Sequence, residues 1–153
     1  MVPKSAFDGM TSLKKVTMTQ VKELGLKSFS GCENLEEIDF PNVTKTGVQV
    51  FAQAKGSNSS QLKVARLPKL KHAEPRMFYY CTNLAELYLT NPPTLTRPVG
   101  KEGLWFERVT KMIIHVPSRK EYDEFMKAEN CTNIDWSAFN FTADNGDQLP
   151  VSY

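Results

Sequence analysis

Phe29-Ser-Gly-Cys-Glu-Asn-Leu-Glu-Glu-Ile-Asp-Phe40 and Phe78-Tyr-Tyr-Cys-Thr-Asn-Leu-Ala-Glu-Leu-Tyr-Leu89 are two printings of one pattern, and they decide the fold. Working outward from them, Phe7, Phe29, Phe51 and Phe78 fall 22, 22 and 27 residues apart. A fixed period of this length marks a stack of small units that bury their apolar faces only against one another. Val21, Val43 and Leu70 precede three of these phenylalanines by eight residues, and Leu13, Leu35 and Leu84 follow three of them by six. After Phe51 the equivalent Leu62 arrives five residues late, behind the polar insertion Lys55-Gly-Ser-Asn-Ser-Ser60, which a surface loop tolerates at small entropic cost.

Each leucine opens a short strand: Leu13-Lys-Lys-Val-Thr-Met18, Leu35-Glu-Glu-Ile-Asp-Phe40, Leu62-Lys-Val-Ala-Arg-Leu67 and Leu84-Ala-Glu-Leu-Tyr-Leu89. The later apolar residues alternate with polar ones, so one strand face is buried and the other meets solvent. Pro41 and Pro68 end two of the strands, where the ladder no longer needs a donor. Strands that recur once per repeat and run the same way pair in parallel, about 4.8 Å apart. The pattern therefore predicts an α/β leucine-rich-repeat solenoid with a one-sided parallel β-sheet and about four repeats. Repeat three, with Ala65 at a leucine position, is expected to be the least well packed.

Ser118-Arg-Lys-Glu121 reads as a capping box, and a helix from about 118 to 129 would turn Tyr122, Phe125 and Met126 onto the last repeat. Ile134, Trp136, Phe139 and Phe141 complete the closure. Residues 1–153 thus form a single domain, with repeats over 1–90, a terminal repeat and cap over 91–141, and a loosely held polar tail over 142–153. Val2-Pro3 enters the pattern midway, which suggests either further repeats upstream in the parent protein or an exposed edge covered by a partner chain.

The chain resembles the BspA-like leucine-rich repeats. The residues that carry the likeness are the Phe-x-x-Cys-x-x-Leu-x-x-Ile/Leu runs quoted above, the entry Val2-Pro-Lys-Ser-Ala-Phe7, and an ending Ile114-His-Val-Pro-Ser118 with Tyr122. That resemblance implies an extracellular or cell-surface module, associated with adhesion and with binding a protein or glycan ligand.

Composition excludes other classes. In 153 residues, 41% hydrophobic and 24% charged, with 9 Pro and 8 Gly, neither collagen nor wholesale disorder fits. Nineteen basic against seventeen acidic residues leave +2, which argues for neither nucleic acid nor an anionic membrane. No apolar run approaches the length of a membrane span, so membrane insertion is not expected. Cys32, Cys81 and Cys131 form no C-x-x-C pair. Cys32 and Cys81 hold the register position of Met10 and read as small buried residues. Two rungs apart, they lie beyond the roughly 7 Å a disulfide spans. No metal, cofactor or catalytic signature is present, and His72 and His115 belong to different repeats.

Function is therefore sought on the exposed sheet face, where the register places two rows: Lys15, Glu37, Val64, Glu86 and Ile113, and beside them Thr17, Asp39, Arg66, Tyr88 and His115. Lys15 should meet Glu37, Asp39 should meet Arg66, and Tyr88 should lie beside Arg66 and His115. Read as a docking surface, Glu37, Asp39, Arg66, Glu86, Tyr88 and His115 bind the partner, with Tyr88 and Arg66 as anchors. Read as solvated scaffolding, the same charges only support the ladder, and the protein is a structural spacer. A cleft holding His115 beside a carboxylate would point instead to an enzyme.

Overall fold

The chain winds as a succession of short parallel strands, each rung laid on the one before. The computed structural model describes residues 1–54, 60–95, 106, 109, 111–128 and 136–150. Among the described residues the strands are β1 (Lys15–Thr17), β2 (Glu23–Leu24), β3 (Glu37–Asp39), β4 (Lys45–Thr46), β5 (Val64–Arg66), β6 (His72–Ala73), β7 (Glu86–Tyr88), β8 (Thr94–Leu95), β9 (Ile113–Val116) and β10 (Asn140–Ala143), with an α-helix, α1 (Arg119–Met126), and a short 3-10 helix at Trp136–Ala138. The Lys55 to Ser59 insertion, Cys131 and Ile134 lie outside the described residues.

Two sheets result. The larger runs β1-β3-β5-β7-β9-β10 and the smaller β2-β4-β6-β8, with every pairing parallel. The sequence pattern pointed to the first alone. In it Val16, Ile38, Ala65, Leu87 and Ile114 turn inward, and the last four of these are fully buried.

A third ladder joins the rungs through their turns. Ser5, Phe7 and Gly9 donate to the carbonyls of Leu26, Ser28 and Ser30; Lys27, Phe29 and Gly31 repeat this toward Val48, Val50 and Ala52; Gln49, Phe51 and Gln53 toward Pro75, Met77 and Tyr79, all at 2.7–3.0 Å. The turn that makes this possible puts Ser5, Lys27, Gln49 and Arg76, each two residues before its phenylalanine, in the left-handed region at φ 54–60°. The rungs approach closely here: a Cβ on Gly25 or Gly47 would sit 2.8 or 2.7 Å from backbone atoms of the neighbouring rung.

Between the sheets the phenylalanines form one column. Phe7, Phe29, Phe51, Phe78 and Phe106 stack at centroid separations of 5.0, 5.8, 5.5 and 5.9 Å, none tilted by more than 22°. Phe106 is a fifth member that the spacing did not disclose. In repeat three Leu62, Ala65 and Leu67 are as buried as their counterparts. One rung earlier Phe40 stands at the position of Leu67 and reaches Phe51 at 6.2 Å. Cys32 and Cys81 are buried and free. Their thiols donate to the carbonyls of Phe7 (3.1 Å) and Phe51 (3.2 Å), and burial pushes the Cys81 thiol up to about 12.

At the far end α1 begins on Ser118, whose Oγ accepts from the Lys120 N–H at 3.2 Å and whose hydroxyl donates to the Glu121 carboxylate. That hydrogen bond holds the Glu121 carboxyl below its usual range. Phe125 inserts between Trp136 (4.9 Å) and Phe141 (5.3 Å), and Tyr122 meets Phe141 edge-on at 5.3 Å. Met126, expected on the same face, is 37% exposed, because one further residue rotates it about 100° past Phe125. The tail assignment is also corrected at its start. Thr142 and Ala143 belong to β10, the Asp144 N–H donates to the Val116 carbonyl at 2.8 Å, and Asp147 accepts from the Arg119 N–H at 2.9 Å.

Candidate functional site

The exposed face of the larger sheet carries the two rows in the expected register: Lys15–Glu37–Val64–Glu86–Ile113 and Thr17–Asp39–Arg66–Tyr88–His115. Alternation along each three-residue strand, with its middle side chain buried, is what turns these residues outward. β10 extends both rows, setting Asn140 beside Ile113 and Thr142 beside His115.

Contacts link the rows into a continuous chain across the sheet. Lys15 Nζ lies 3.4 Å from Glu37, and the Arg66 guanidinium pairs with the other Glu37 oxygen. The hydrogen bond from Arg66 holds the Glu37 carboxyl below its ordinary range, with Lys15 adding to the effect. Arg66 also lies over the Tyr88 ring, 5.0 Å from its centroid, and the opposite side of that ring stacks on His115 at 4.1 Å and 9°. His115 is in turn held at both nitrogens, Nε2 3.1 Å from Glu86 and Nδ1 3.2 Å from Asp144.

One expected pair is replaced. Arg66 does not bridge to its register partner Asp39; its ion pair is with Glu37, the diagonal neighbour, which a long side chain reaches across adjacent strands. Asp39 stays on the face as a half-exposed carboxylate. Asp144, placed in the tail by the sequence, joins the site because β10 carries the chain back alongside β9. The alternation of Phe141 and Ala143 with polar neighbours was the available signal. Asn34 and Asn83, one residue before their strand-opening leucines, were also unassigned. Each donates to a carbonyl one rung back, Thr11 at 2.8 Å and Ser60 at 2.6 Å.

His115 does stand beside carboxylates. A general base must offer a ring nitrogen to substrate, whereas here both face acidic side chains and one ring face is covered by Tyr88. Of two grooves of about 550 and 720 Å³, the first lies beside Lys69 and Lys71 and the second reaches the end of the outer row at Ile113 and Asn140, and His115 lines neither. Among the described residues no cluster of three or more His, Cys, Asp or Glu could hold a metal, and no helix is long and apolar enough to cross a membrane.

Three parallel ladders around a column of stacked phenylalanines define a leucine-rich-repeat solenoid. The family model described as BspA type leucine rich repeat region matches residues 1–97 in six copies, and the chain belongs to that family. The family is generally a repeat module of surface proteins, typically bacterial, and generally non-catalytic. No curated protein and no solved structure matches the chain.

Proposed function

We propose that the protein is a docking module of a secreted or cell-surface protein, binding a protein partner through the exposed face of its larger sheet in the manner of an adhesion domain. The observation that carries this is the Arg66–Tyr88–His115 stack, fixed at its ends by Glu37 on one side and by Glu86 and Asp144 on the other. Side chains immobilised before contact lose little rotamer freedom on binding, which is where a rigid sheet gains over a loop. Arg and Tyr are also the residue types that anchor interfaces. Of the two ligand classes considered, protein fits this face better than glycan. A sugar ring packs on an open aromatic face, and both faces of Tyr88 are covered, leaving its edge and hydroxyl to a partner.

A second reading has its own support. Lys15, Arg66 and His115 already have acidic partners within the face, so the row also suits a structural spacer with no ligand. Surface plasmon resonance against a panel of extracellular-matrix proteins separates the two. Binding that weakens about tenfold in Tyr88→Ala and in Arg66→Ala supports docking; binding that both variants leave unchanged, or its absence across the panel, favours the spacer.

A further inference from the structure

The formal charge of +2 averages over faces that differ sharply. On the larger sheet Lys15 and Arg66 share the Glu37 carboxylate, and Asp39, Glu86 and Asp144 add further negative charge to the same face. The smaller sheet and the segments entering it carry Lys22, Lys45, Lys69 and Lys71, all exposed, against Glu23 and Glu74. Glu74 is itself engaged at 3.1 Å by His72. Among the described residues the side chains of Lys22, Lys45 and Lys71 lie in no ion pair or hydrogen bond. Lys69 is fixed instead of paired: its Nζ donates to Asn42 Oδ1 at 2.7 Å, and Asn42 donates to the Thr19 carbonyl at 2.7 Å. The Lys69 ammonium is held in place with its charge uncompensated.

Two of these cations, Lys69 and Lys71, border the groove of about 550 Å³ where the chain passes from the larger sheet to the smaller. Lys69 and Lys71 line it together with Thr44, Thr90 and Asn91, and the rings of Pro68 and Pro92 form its apolar walls. Its walls are consecutive rungs tied by backbone hydrogen bonds: the Lys71 N–H to Thr44 O at 2.9 Å, the Thr94 N–H to Lys71 O at 2.8 Å. The Thr44 N–H donates to Lys22 O at 2.8 Å, so Lys22 and Lys71 flank Thr44 on one row, about 10 Å apart at two strand spacings.

We infer that this groove binds a short acidic saccharide. Ammonium groups spaced along the rungs suit the carboxylate or sulfate groups of a sugar chain, and lysine serves as a point charge without the bidentate geometry arginine imposes. Hydroxyl and amide groups of Thr44, Thr90 and Asn91 match sugar hydroxyls, and the proline rings match the apolar faces of a pyranose. An acidic peptide would use the charges and leave those hydroxyl and amide groups without a role. This site is separate from the Tyr88 row and does not depend on it.

The test titrates the full chain with a heparin-derived tetrasaccharide and with a tetraglutamate peptide by isothermal calorimetry, at low and at physiological salt. The saccharide is expected to bind saturably and to weaken with salt. Lys69→Ala/Lys71→Ala should lose about tenfold in affinity and Thr90→Ala about threefold, while Lys14→Ala/Lys120→Ala, removing two exposed charges elsewhere, stays within about twofold. Lys71→Ala alone, which breaks no ion pair or side-chain hydrogen bond within the described residues, should lose about threefold. The proposal is overturned by an absence of saturable saccharide binding, by tetraglutamate binding as tightly, or by an equal loss in the Lys14/Lys120 variant.

Discussion

Arg66 organises the exposed face because one guanidinium serves two neighbours at once, the Glu37 carboxylate and the face of the Tyr88 ring. Its pull on Glu37 gives the row a pH dependence whose sign follows from linkage. The Glu37 carboxyl titrates below its ordinary value in the folded protein, chiefly through the Arg66 hydrogen bond. The stability it contributes is therefore complete above the ordinary glutamate pKa and is lost as pH falls through the lowered one. Arg66→Ala should raise the Glu37 titration toward the ordinary carboxylate range, visible in side-chain carboxyl NMR shifts. Urea unfolding should find the variant less stable than wild type at pH 7, with the gap narrowing at pH 3. A gap of equal size at both pH values would show that Arg66 acts through Tyr88 alone. Sequence reasoning put both residues on the right face and in the right rows, yet it paired Arg66 with Asp39. Register fixes which backbones are adjacent; it does not fix which of two carboxylates within reach a long side chain takes.

At the scale of elements, the large apolar positions were legible because every rung needs one in the same place. Phe29, Leu35 and Ile38 recur as Phe78, Leu84 and Leu87 and are buried in both copies. The smaller sheet was not legible, since β2, β4, β6 and β8 are two residues each and alternation cannot show in a pair. Phe106 escaped for a related reason: it stands 28 residues after Phe78, past any spacing the earlier repeats establish. The terminal helix was legible through its cap, because Ser118 and Glu121 sit at the spacing that closes a first turn. Ser118→Ala removes both the acceptor for the Lys120 N–H and the donor to Glu121. A loss of about 1 kcal/mol is expected from chemical denaturation, with Ser118→Thr, which keeps a hydroxyl that can both accept and donate, recovering most of it. An unchanged midpoint in Ser118→Ala would mean that α1 is held by Phe125 and not by its cap. The same helix explains why residues 142–147 are tied down. Asp147 caps the Arg119 N–H from outside the helix, and that hydrogen bond keeps the Asp147 carboxyl below its usual range.

For the whole molecule, the column of phenylalanines makes stability depend on position along the stack. In a solenoid each rung contacts only its neighbours, so an interior rung loses two interfaces when its central side chain is removed and a terminal rung loses one. Phe51 stacks on Phe29 at 5.8 Å and on Phe78 at 5.5 Å, with Phe40 at 6.2 Å beside it, and is 1% exposed. Phe7 is half-buried and stacks on Phe29. Phe51→Ala is therefore expected to cost about 3–5 kcal/mol, a large share of the roughly 5–15 kcal/mol that holds a typical domain together, whereas Phe7→Ala should cost less than half as much. Urea unfolding followed by far-UV circular dichroism reads both. The interior variant should also broaden or split the transition, because the rungs on either side of the gap are then coupled only through their backbone ladders. Equal costs at the two positions would contradict nearest-neighbour stacking as the source of stability and would point to a core that responds as one body.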